Sequence, residues 1–328
     1  MRRLGGVLAG VVLAAGSLAA TAVTPVGADP GAGPGPIGYT TRFSPGACGL
    51  ASVDLGAGGT LTPIGPPYIA NEAGCPDDLA IRAGDPQIWA VITYPFGVGS
   101  GSAGGETTTS TEPLNAAAIE SDLVTIDPTT GKRTRVGSLG FDVDSETSGL
   151  AFDAAGTLWL YGATNDPACS PEPVDRLFGC LYRLDPATGA ATFVARGPRT
   201  ADTVVFQASA TCDAVLASVN DQDGGTGGSV GWLATVNTTD AGLARAPSPQ
   251  GPLLVLFGIE RDSTGTLRAV GEDQGGSTPG FATFTVDPTT GVATRVADLV
   301  LGETREYPAG LAIAGLTCPV TVTPTFTG

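Results

Sequence analysis

The sequence predicts an all-β protein that repeats a unit of four short strands. Residues 123–162 show the unit most clearly, because LVTIDPTTGKRTRV is typical of one hairpin and GLAFDAAGTLWL of a second. Apolar and polar residues alternate in both segments, which is the period of half-buried strands. No stretch combines a sustained 3.6-residue apolar period with helix caps. We call the two segments the DPxTG hairpin and the GLAF hairpin.

Both hairpins recur along the chain. DPxTG hairpins start at residues 50, 123, 181, 233 and 281, and GLAF hairpins start at residues 79, 149, 204, 258 and 310. The Asp or Asn of successive DPxTG turns are 73, 58, 52 and 50 residues apart. A period near 50 residues made of four strands is typical of propeller blades.

The order of the hairpins predicts how the ring closes. The chain begins with a DPxTG hairpin at Leu50–Ile64 and ends with a GLAF hairpin at Gly310–Val322. Four complete blades therefore leave two half-blades, which we expect to pair as a fifth so that no sheet edge is free. The prediction is a five-bladed β-propeller with blade 1 shared by the two chain ends. Because blade 4 is irregular and residues 253–257 add an apolar run, four or six blades are the alternatives.

The recurring Asp-Pro-x-Thr-Gly segment is interpreted as a turn, not a site. Pro presets one backbone angle, the Asp carboxylate accepts backbone N–H groups, and Gly takes the left-handed position. The segment occurs at residues 127–131, 185–189 and 287–291, whereas blades 1 and 4 depart from it at Asp54 and Asn237.

The pattern LYxIDPxTG…GLAFDxxGxLW resembles that of secreted bacterial β-propeller repeat proteins, and more distantly the NHL, WD40 and kelch propellers. The resemblance covers roughly residues 48–322 and is weak in blades 1 and 4. It implies the fold. Proteins of this kind are commonly without an assigned activity, and no catalytic set carries over to positions in this chain.

The first 28 residues are expected to be a secretory signal peptide. Met1-Arg2-Arg3 precedes an apolar run at Leu4–Val23 and a small-residue site at Val26–Ala28. A membrane anchor is the alternative, but the run is rich in Gly and Ala, and no second apolar stretch approaches ~18 residues. We expect a secreted, extracellular protein with a Gly/Pro-rich leader at residues 29–47 and a single propeller domain at residues 48–328.

Composition excludes several kinds of chemistry. The chain has no histidine and one lysine, Lys132, and its formal charge of −16 becomes about −18 after cleavage removes Arg2 and Arg3. The absence of histidine excludes Ser-His-Asp and Cys-His catalysis and His-ligated metals. Acidity disfavours nucleic acid and anionic membranes as partners. We expect a monomer that requires no cofactor.

Six cysteines in an exported chain favour disulfides. Cys169 and Cys180 bracket one loop, and Cys48 and Cys75 map to one face of adjacent blades. Cys212 and Cys318 map to the opposite face. The preferred pairs are therefore Cys169–Cys180, Cys48–Cys75 and Cys212–Cys318, and a Cys48–Cys318 pair is the main rival.

Strand direction assigns the connections to two faces. If the first GLAF strand lines the central channel, the long connections share a loop face and the tight turns share a turn face. Loops on a rigid scaffold usually carry binding. Two acidic Gly-rich loops, at residues 220–225 and 272–276, supply the binding candidates Asp221, Asp223, Glu272 and Asp273. These loops suggest calcium as an alternative, although neither completes a known calcium-loop pattern.

A second acidic set precedes the channel strands: Asp78, Asp144, Glu146, Asp202 and Glu306. Carboxylates around such a mouth could serve as the general acid and the base or nucleophile of a glycoside hydrolase. The alternative is that an acidic protein places acids in its loops. Aromatic residues are only 6% of the chain, and Trp89 and Trp159 are expected in the core. Trp232 is less clearly assigned.

The sequence therefore favours a secreted binding or interaction module that uses its loop face for an unknown extracellular ligand or protein. A glycoside hydrolase that uses the mouth carboxylates is the alternative. A structural cell-envelope protein is a weaker alternative.

Overall fold

The computed structural model describes residues 35–44, 46–69, 74–93, 120–169, 179–197, 203–211, 214–222, 229–252, 254–274, 280–301 and 307–314. Residues Pro34–Gly328 form one compact unit. The described ranges contain strands and turns, and none of them holds a helix long and apolar enough to cross a membrane. The all-β prediction is confirmed. The predicted signal peptide lies outside these ranges.

Twenty strands follow one another along the chain. Their bounds are β1 Ile37–Ser44, β2 Ala47–Asp54, β3 Gly58–Ile69, β4 Cys75–Ile81, β5 Ile88–Thr93, β6 Asp122–Ile126, β7 Arg133–Ser138, β8 Val143–Phe152, β9 Leu158–Thr164, β10 Cys180–Leu184, β11 Ala191–Arg196, β12 Thr203–Thr211, β13 Ala214–Gln222, β14 Ser229–Val236, β15 Leu243–Pro252, β16 Leu254–Arg261, β17 Leu267–Asp273, β18 Gly280–Val286, β19 Ala293–Val300 and β20 Tyr307–Ile313.

The described strands form three antiparallel four-stranded sheets and one eight-stranded sheet. The eight-stranded sheet consists of two antiparallel groups of four strands, and we call each group of four antiparallel strands a blade. Blade 1 has the order β20-β1-β2-β3, and blades 2 to 5 are β4–β7, β8–β11, β12–β15 and β16–β19. A short parallel bridge joins the outer strands of blades 5 and 1, where Leu299 pairs with Gly59 and Val300 with Thr60.

The inner strands close a ring around a central axis. Strand β4 packs against β8, β8 against β12, β12 against β16, β16 against β20, and β20 against β4. Each of these is the first strand of a GLAF hairpin, so this strand lines the channel as expected. Because β1 pairs with β20, the two chain ends complete one blade.

The division of blade 1 differs from the prediction. The N-terminal part contributes three strands and the C-terminal part contributes β20. Strand β1, at Ile37–Ser44, lies within the predicted leader at residues 29–47, which is wrong for this part. The Gly/Pro-rich residues before it obscured its alternation, since Gly38, Thr40 and Thr41 are buried and Ile37 is exposed. The proposed last strand, towards Val322, lies outside the described residues.

The core lies between neighbouring blades. One cluster joins Ala80 and Val91 of blade 2 to Leu150 and Leu158 of blade 3. Equivalent clusters fill the other four seams of the ring. The central strands are therefore apolar on both faces, as the burial of most of β5 shows. Trp89 and Trp159 pack against these clusters as predicted, and Trp232 does the same.

The DPxTG turns have the local chemistry that the sequence predicts. The Asp127 carboxylate accepts the N–H groups of Thr129 at 2.8 Å and Thr130 at 3.0 Å. Gly131 takes the left-handed conformation with φ of 68°. Irregular blade 4 forms the same turn, with Asn237 as the acceptor and Ala241 in the left-handed position at φ of 58°.

Each turn also lies against the outer strand of the preceding blade, which local turn chemistry does not predict. A Cβ on Gly189 of blade 3 would lie 2.7 Å from the carbonyl oxygen of Gly137 in blade 2. In blade 5, Thr290 accepts a 3.0 Å hydrogen bond from the N–H of Ser248 in blade 4. A Cβ on Gly58 of blade 1 would lie 2.7 Å from the Asp298 carbonyl of blade 5. The turns therefore join neighbouring blades at the outer edge of the ring, and we call these contacts rim joints.

Two predicted disulfides are present. Cys48–Cys75 joins blades 1 and 2, with its Cα atoms 5.9 Å apart. Cys169–Cys180 closes the blade 3 loop, with its Cα atoms 5.8 Å apart. The rival pairing of Cys48 with Cys318 is therefore wrong. The proposed Cys212–Cys318 pair lies outside the described residues.

Candidate functional site

Asp78, a candidate catalytic residue, joins two inner strands. It lies in β4, is 1% exposed, and occupies the position that Gly258 and Gly310 take in their strands. Its Oδ1 accepts the N–H of Leu79 at 2.9 Å, and its Oδ2 accepts the N–H of Leu150 in the next blade. Buried oxygens that accept backbone N–H groups satisfy otherwise costly donors. This placement gives Asp78 a structural role between blades 2 and 3.

The other candidate carboxylates are placed only in part. Asp144 and Glu146 lie within β8, between the paired residues Val143 and Ser148, where the register breaks. The sequence placed both residues before the channel strand, whereas the structure places them within it, at an irregularity in its pairing with β9. Asp202 and Glu306 lie outside the described residues.

The binding candidates on the loop face are also partly placed. Asp221 lies in β13, and Asp223 lies outside the described residues. Glu272 accepts a 3.0 Å hydrogen bond from the Gln274 amide. Asp273 contacts Arg295 at 3.2 Å, and that guanidinium also binds Asp298 at 2.8 Å. Glu272 and Asp273 lie at the loop-face end of blade 5.

The calcium expectation falls mostly on residues that the structure does not describe. Within the described ranges, no group of three or more acidic or cysteine side chains is placed to hold a metal ion.

A row of side chains that sequence reasoning missed crosses blade 1 at the loop face. Tyr307, Phe43, Cys48 and Tyr68 stand opposite one another on β20, β1, β2 and β3. Residues directly opposite in antiparallel strands share one face of the sheet. We call this set the mouth row, because Tyr307 begins an inner strand at the loop-face mouth of the channel.

The channel end of the mouth row is an exposed aromatic platform. The rings of Tyr307 and Phe43 are stacked, with centroids 5.0 Å apart and planes 3° apart. Tyr307 is 44% exposed, whereas Phe43 is partly buried against Cys48, Tyr68 and Cys75. The available signal was an aromatic residue at the start of a GLAF strand, in YPAGLAI.

The rim end of the mouth row is closed by blade 2. The Arg133 guanidinium lies 3.8 Å from the centre of the Tyr68 ring and donates a 3.0 Å hydrogen bond to the Gly74 carbonyl. The Tyr68 hydroxyl donates to the Gly131 carbonyl. Burial raises the pKa of Tyr68, and the nearby Arg133 charge offsets this only in part. Tyr68 is therefore a neutral, buried hydrogen-bond donor at neutral pH.

Blade 3 begins beside a second polar arrangement on the loop face. The Ser121 hydroxyl accepts the N–H of Val143 at 2.9 Å, and the Asn165 side chain accepts the N–H of Asp142 at 2.8 Å. Ser121 and Asp142 are buried. These hydrogen bonds fix the start of β8 immediately before the irregularly paired segment that contains Asp144 and Glu146.

No protein-family model matches this chain, and no curated protein matches it. Among solved structures, it is similar to the GH43 endo-arabinanase from Bacillus licheniformis, at 13% identity and a TM-score of 0.43, over 79% of this chain and 93% of that one. A glycosyl hydrolase from Bacteroides ovatus is 10% identical with a TM-score of 0.40, over 78% of this chain and 85% of that one.

An exo-β-1,3-galactanase from Phanerochaete chrysosporium is 13% identical with a TM-score of 0.38. The match covers 64% of this chain and 45% of the galactanase, so the chain spans less than half of that protein. Similarity at this level does not carry the activities of those enzymes over to this chain.

Proposed function

We propose that this propeller is an exported binding module that takes a neutral carbohydrate at the loop-face mouth of its channel. The observation that carries the proposal is the Tyr307 platform, 44% exposed and stacked on Phe43. The apolar C–H faces of sugar rings pack against flat aromatic rings, whose faces carry partial negative charge. Exposed aromatic surface at the end of a rigid scaffold is typical of binding sites.

The charge of the chain supports a neutral ligand. Asp and Glu number 32 against 16 Lys and Arg, and the segments that start the channel strands are acidic. Carboxylates accept hydrogen bonds from sugar hydroxyls, whereas they repel uronate or sulfate groups. Glu306 directly precedes Tyr307 in the sequence, which makes it the first candidate for such an acceptor.

A screen of neutral and acidic glycans tests the proposal with the wild type, Tyr307→Ala and Phe193→Ala. Phe193 is the matched control, since it is 36% exposed but lies on the outer strand of blade 3. We expect neutral glycans to bind, with affinity lowered about tenfold or more in Tyr307→Ala and unchanged in Phe193→Ala. Equal affinity in all three proteins would contradict the proposed site.

Glycoside hydrolysis is the second candidate function. It is favoured by the position of Asp144 and Glu146 within an inner strand, where the pairing of that strand is irregular, and by Glu306, which directly precedes Tyr307 in the sequence. Hydrolysis requires two carboxyl groups about 5–10 Å apart on either side of the glycosidic bond. The same screen therefore includes an assay for released reducing sugar.

The carboxylate variants separate binding from hydrolysis. If the protein is a hydrolase, Asp144→Asn or Glu146→Gln should abolish sugar release while glycan binding is retained. Glu306→Gln should also abolish release, and there binding is retained only as far as the amide oxygen replaces the carboxylate as a hydrogen-bond acceptor. Sugar release that survives all three changes together would exclude these roles. If the wild type binds a glycan but releases no sugar, the proposed binding function stands and hydrolysis is excluded for that glycan. If the wild type binds no glycan, a structural cell-envelope protein is favoured.

A further inference from the structure

We propose that the Cys48–Cys75 disulfide is a positioning element for Tyr307, so that ligand affinity at the mouth depends on this disulfide and not on Cys169–Cys180. The proposal rests on the proposed function for its binding readout. It assigns a role to the residues behind the platform, which do not themselves touch the ligand.

Side-chain packing along the mouth row connects the disulfide to the Tyr307 platform. Phe43 stands directly opposite both Tyr307 and Cys48, so it lies between the exposed ring and the disulfide. One side of Phe43 stacks on Tyr307, and the ring also packs against the cluster of Cys48, Tyr68 and Cys75. Cys48 is 2% exposed and Cys75 is 8% exposed, so the disulfide that packs behind Phe43 is buried.

The row is fixed to blade 2 at its buried end. The disulfide connects it to the first residue of β4, and Arg133 bonds to Gly74, the residue before Cys75. The Tyr68 hydroxyl adds a hydrogen bond to Gly131. At the channel end, the ring of Tyr307 stacks on Phe43 and is exposed. Of the two disulfides in the described residues, this is the one that contains a residue of the mouth row.

Loss of the disulfide should therefore act on the platform through Phe43. Without the covalent link, the start of β4 can separate from β2, and Phe43 loses part of the surface that fixes its ring. Tyr307 would then sample more orientations, and ligand binding would have to order it. Ordering a flexible side chain at binding lowers affinity even when all final contacts are the same.

The test compares Cys48→Ser/Cys75→Ser with the matched control Cys169→Ser/Cys180→Ser. Each removes one disulfide, and because closure entropy changes slowly with loop length, separations of 27 and 11 residues should give similar losses of thermal stability. Affinity is measured for the glycan selected in the screen, at a temperature where near-ultraviolet circular dichroism shows that both variants are folded. We expect about three- to tenfold weaker binding in the first variant only. Equal affinities in the two variants would overturn the proposal.

A second readout does not need a ligand. With labelled Phe and Tyr, NMR should detect ring-to-ring contacts between Phe43 and Tyr307 in the wild type and in the control, but weakened contacts in Cys48→Ser/Cys75→Ser. If no glycan binds the wild type and this pattern is found, the proposed function fails and the positioning role stands. Ring contacts that are unchanged in Cys48→Ser/Cys75→Ser would overturn the positioning role, whatever the glycan screen gives.

Discussion

The turns at the rim and the mouth row at the loop face are built in opposite ways. The rim joint is repeated, with a turn of one blade pressed against the outer strand of the blade before it. The mouth row, from Tyr307 to Tyr68, crosses blade 1, and its stacked aromatic pair has no equivalent among the described residues of the other blades. The contacts that repeat from blade to blade are those that join neighbouring blades and close the ring. The mouth row does not repeat, so ring closure does not explain it.

Gly189→Ala should have the largest effect on the rim side of this comparison. The change puts a Cβ at φ of 77° and 2.7 Å from the Gly137 carbonyl oxygen. The left-handed backbone and the clash together should lower the free energy of unfolding by about 2–4 kcal/mol. Urea denaturation measures the loss.

Gly84→Ala is the control for that change. Gly84 has a nearly equal φ of 79°, but a Cβ there would meet no atom within 4 Å. The expected loss is about 1–2 kcal/mol, from backbone conformation alone. Equal losses in the two variants would show that the turn does not act as a joint between blades.

Asp78→Asn tests the joint between inner strands and should have the next largest effect. Both oxygens of Asp78 accept a backbone N–H, so an amide would point its NH₂ group at one donor. We expect the free energy of unfolding to fall by about 1–3 kcal/mol. Asp85→Asn is the control, because its carboxylate accepts the N–H of Gln87 through Oδ1 and the amide oxygen can replace it. Unchanged stability in Asp78→Asn would contradict the structural role of Asp78.

The smallest effect concerns acid stability of the rim turns. Hydrogen bonds lower the pKa of Asp127, Asp185 and Asp287; the Thr129 hydroxyl contributes most at Asp127, and the backbone N–H two residues on contributes most in the other two turns. A carboxyl with a lowered folded-state pKa stabilises the fold above its unfolded pKa of about 3.9, and this stabilisation is lost as pH falls through the folded value.

The triple Asp→Asn variant at these positions should reduce that acid sensitivity. Asn237 shows that an amide oxygen can accept the same turn hydrogen bond, at 2.9 Å from the Thr239 N–H. Chemical denaturation at pH 7 and at pH values below 4 should therefore show a smaller loss for the variant than for the wild type. Identical pH dependence would mean that the turn carboxylates do not contribute to acid stability.

The fold was predictable because its periodic signals are local. Strand alternation, the Asp-Pro-x-Thr-Gly turns and the order of the hairpins predict the blades and the sharing of blade 1 by the chain ends. Strand β1 was missed because its neighbours are Gly and Pro, and because what makes it a strand is its pairing with β20. That pairing is distant in the sequence, since Tyr39 pairs with Ala312 and the Thr40 hydroxyl bonds to Ala309, 269 residues away. The close approach of each rim turn to the preceding blade is likewise a long-range contact.

The candidate site was less predictable for a related reason. The sequence shows which carboxylates are near the channel strands, but it does not show which of them are buried. Asp78 proves to be buried and hydrogen-bonded to the backbone. Asp144 and Glu146 lie in β8, where its pairing with β9 is irregular. The platform needs Phe43 and Tyr307 to be opposite each other, which follows only from the pairing of β1 with β20. Composition alone, at 6% aromatic residues, disfavoured such a feature.

A crystal structure of the protein with a neutral glycan from the screen tests the central claim most directly. We predict that a sugar ring lies over Tyr307, with carbon atoms within about 4 Å of the aromatic ring. A glycan bound at the rim or on the turn face, with Tyr307 uncovered, would contradict the assignment of the mouth row as the ligand-binding site.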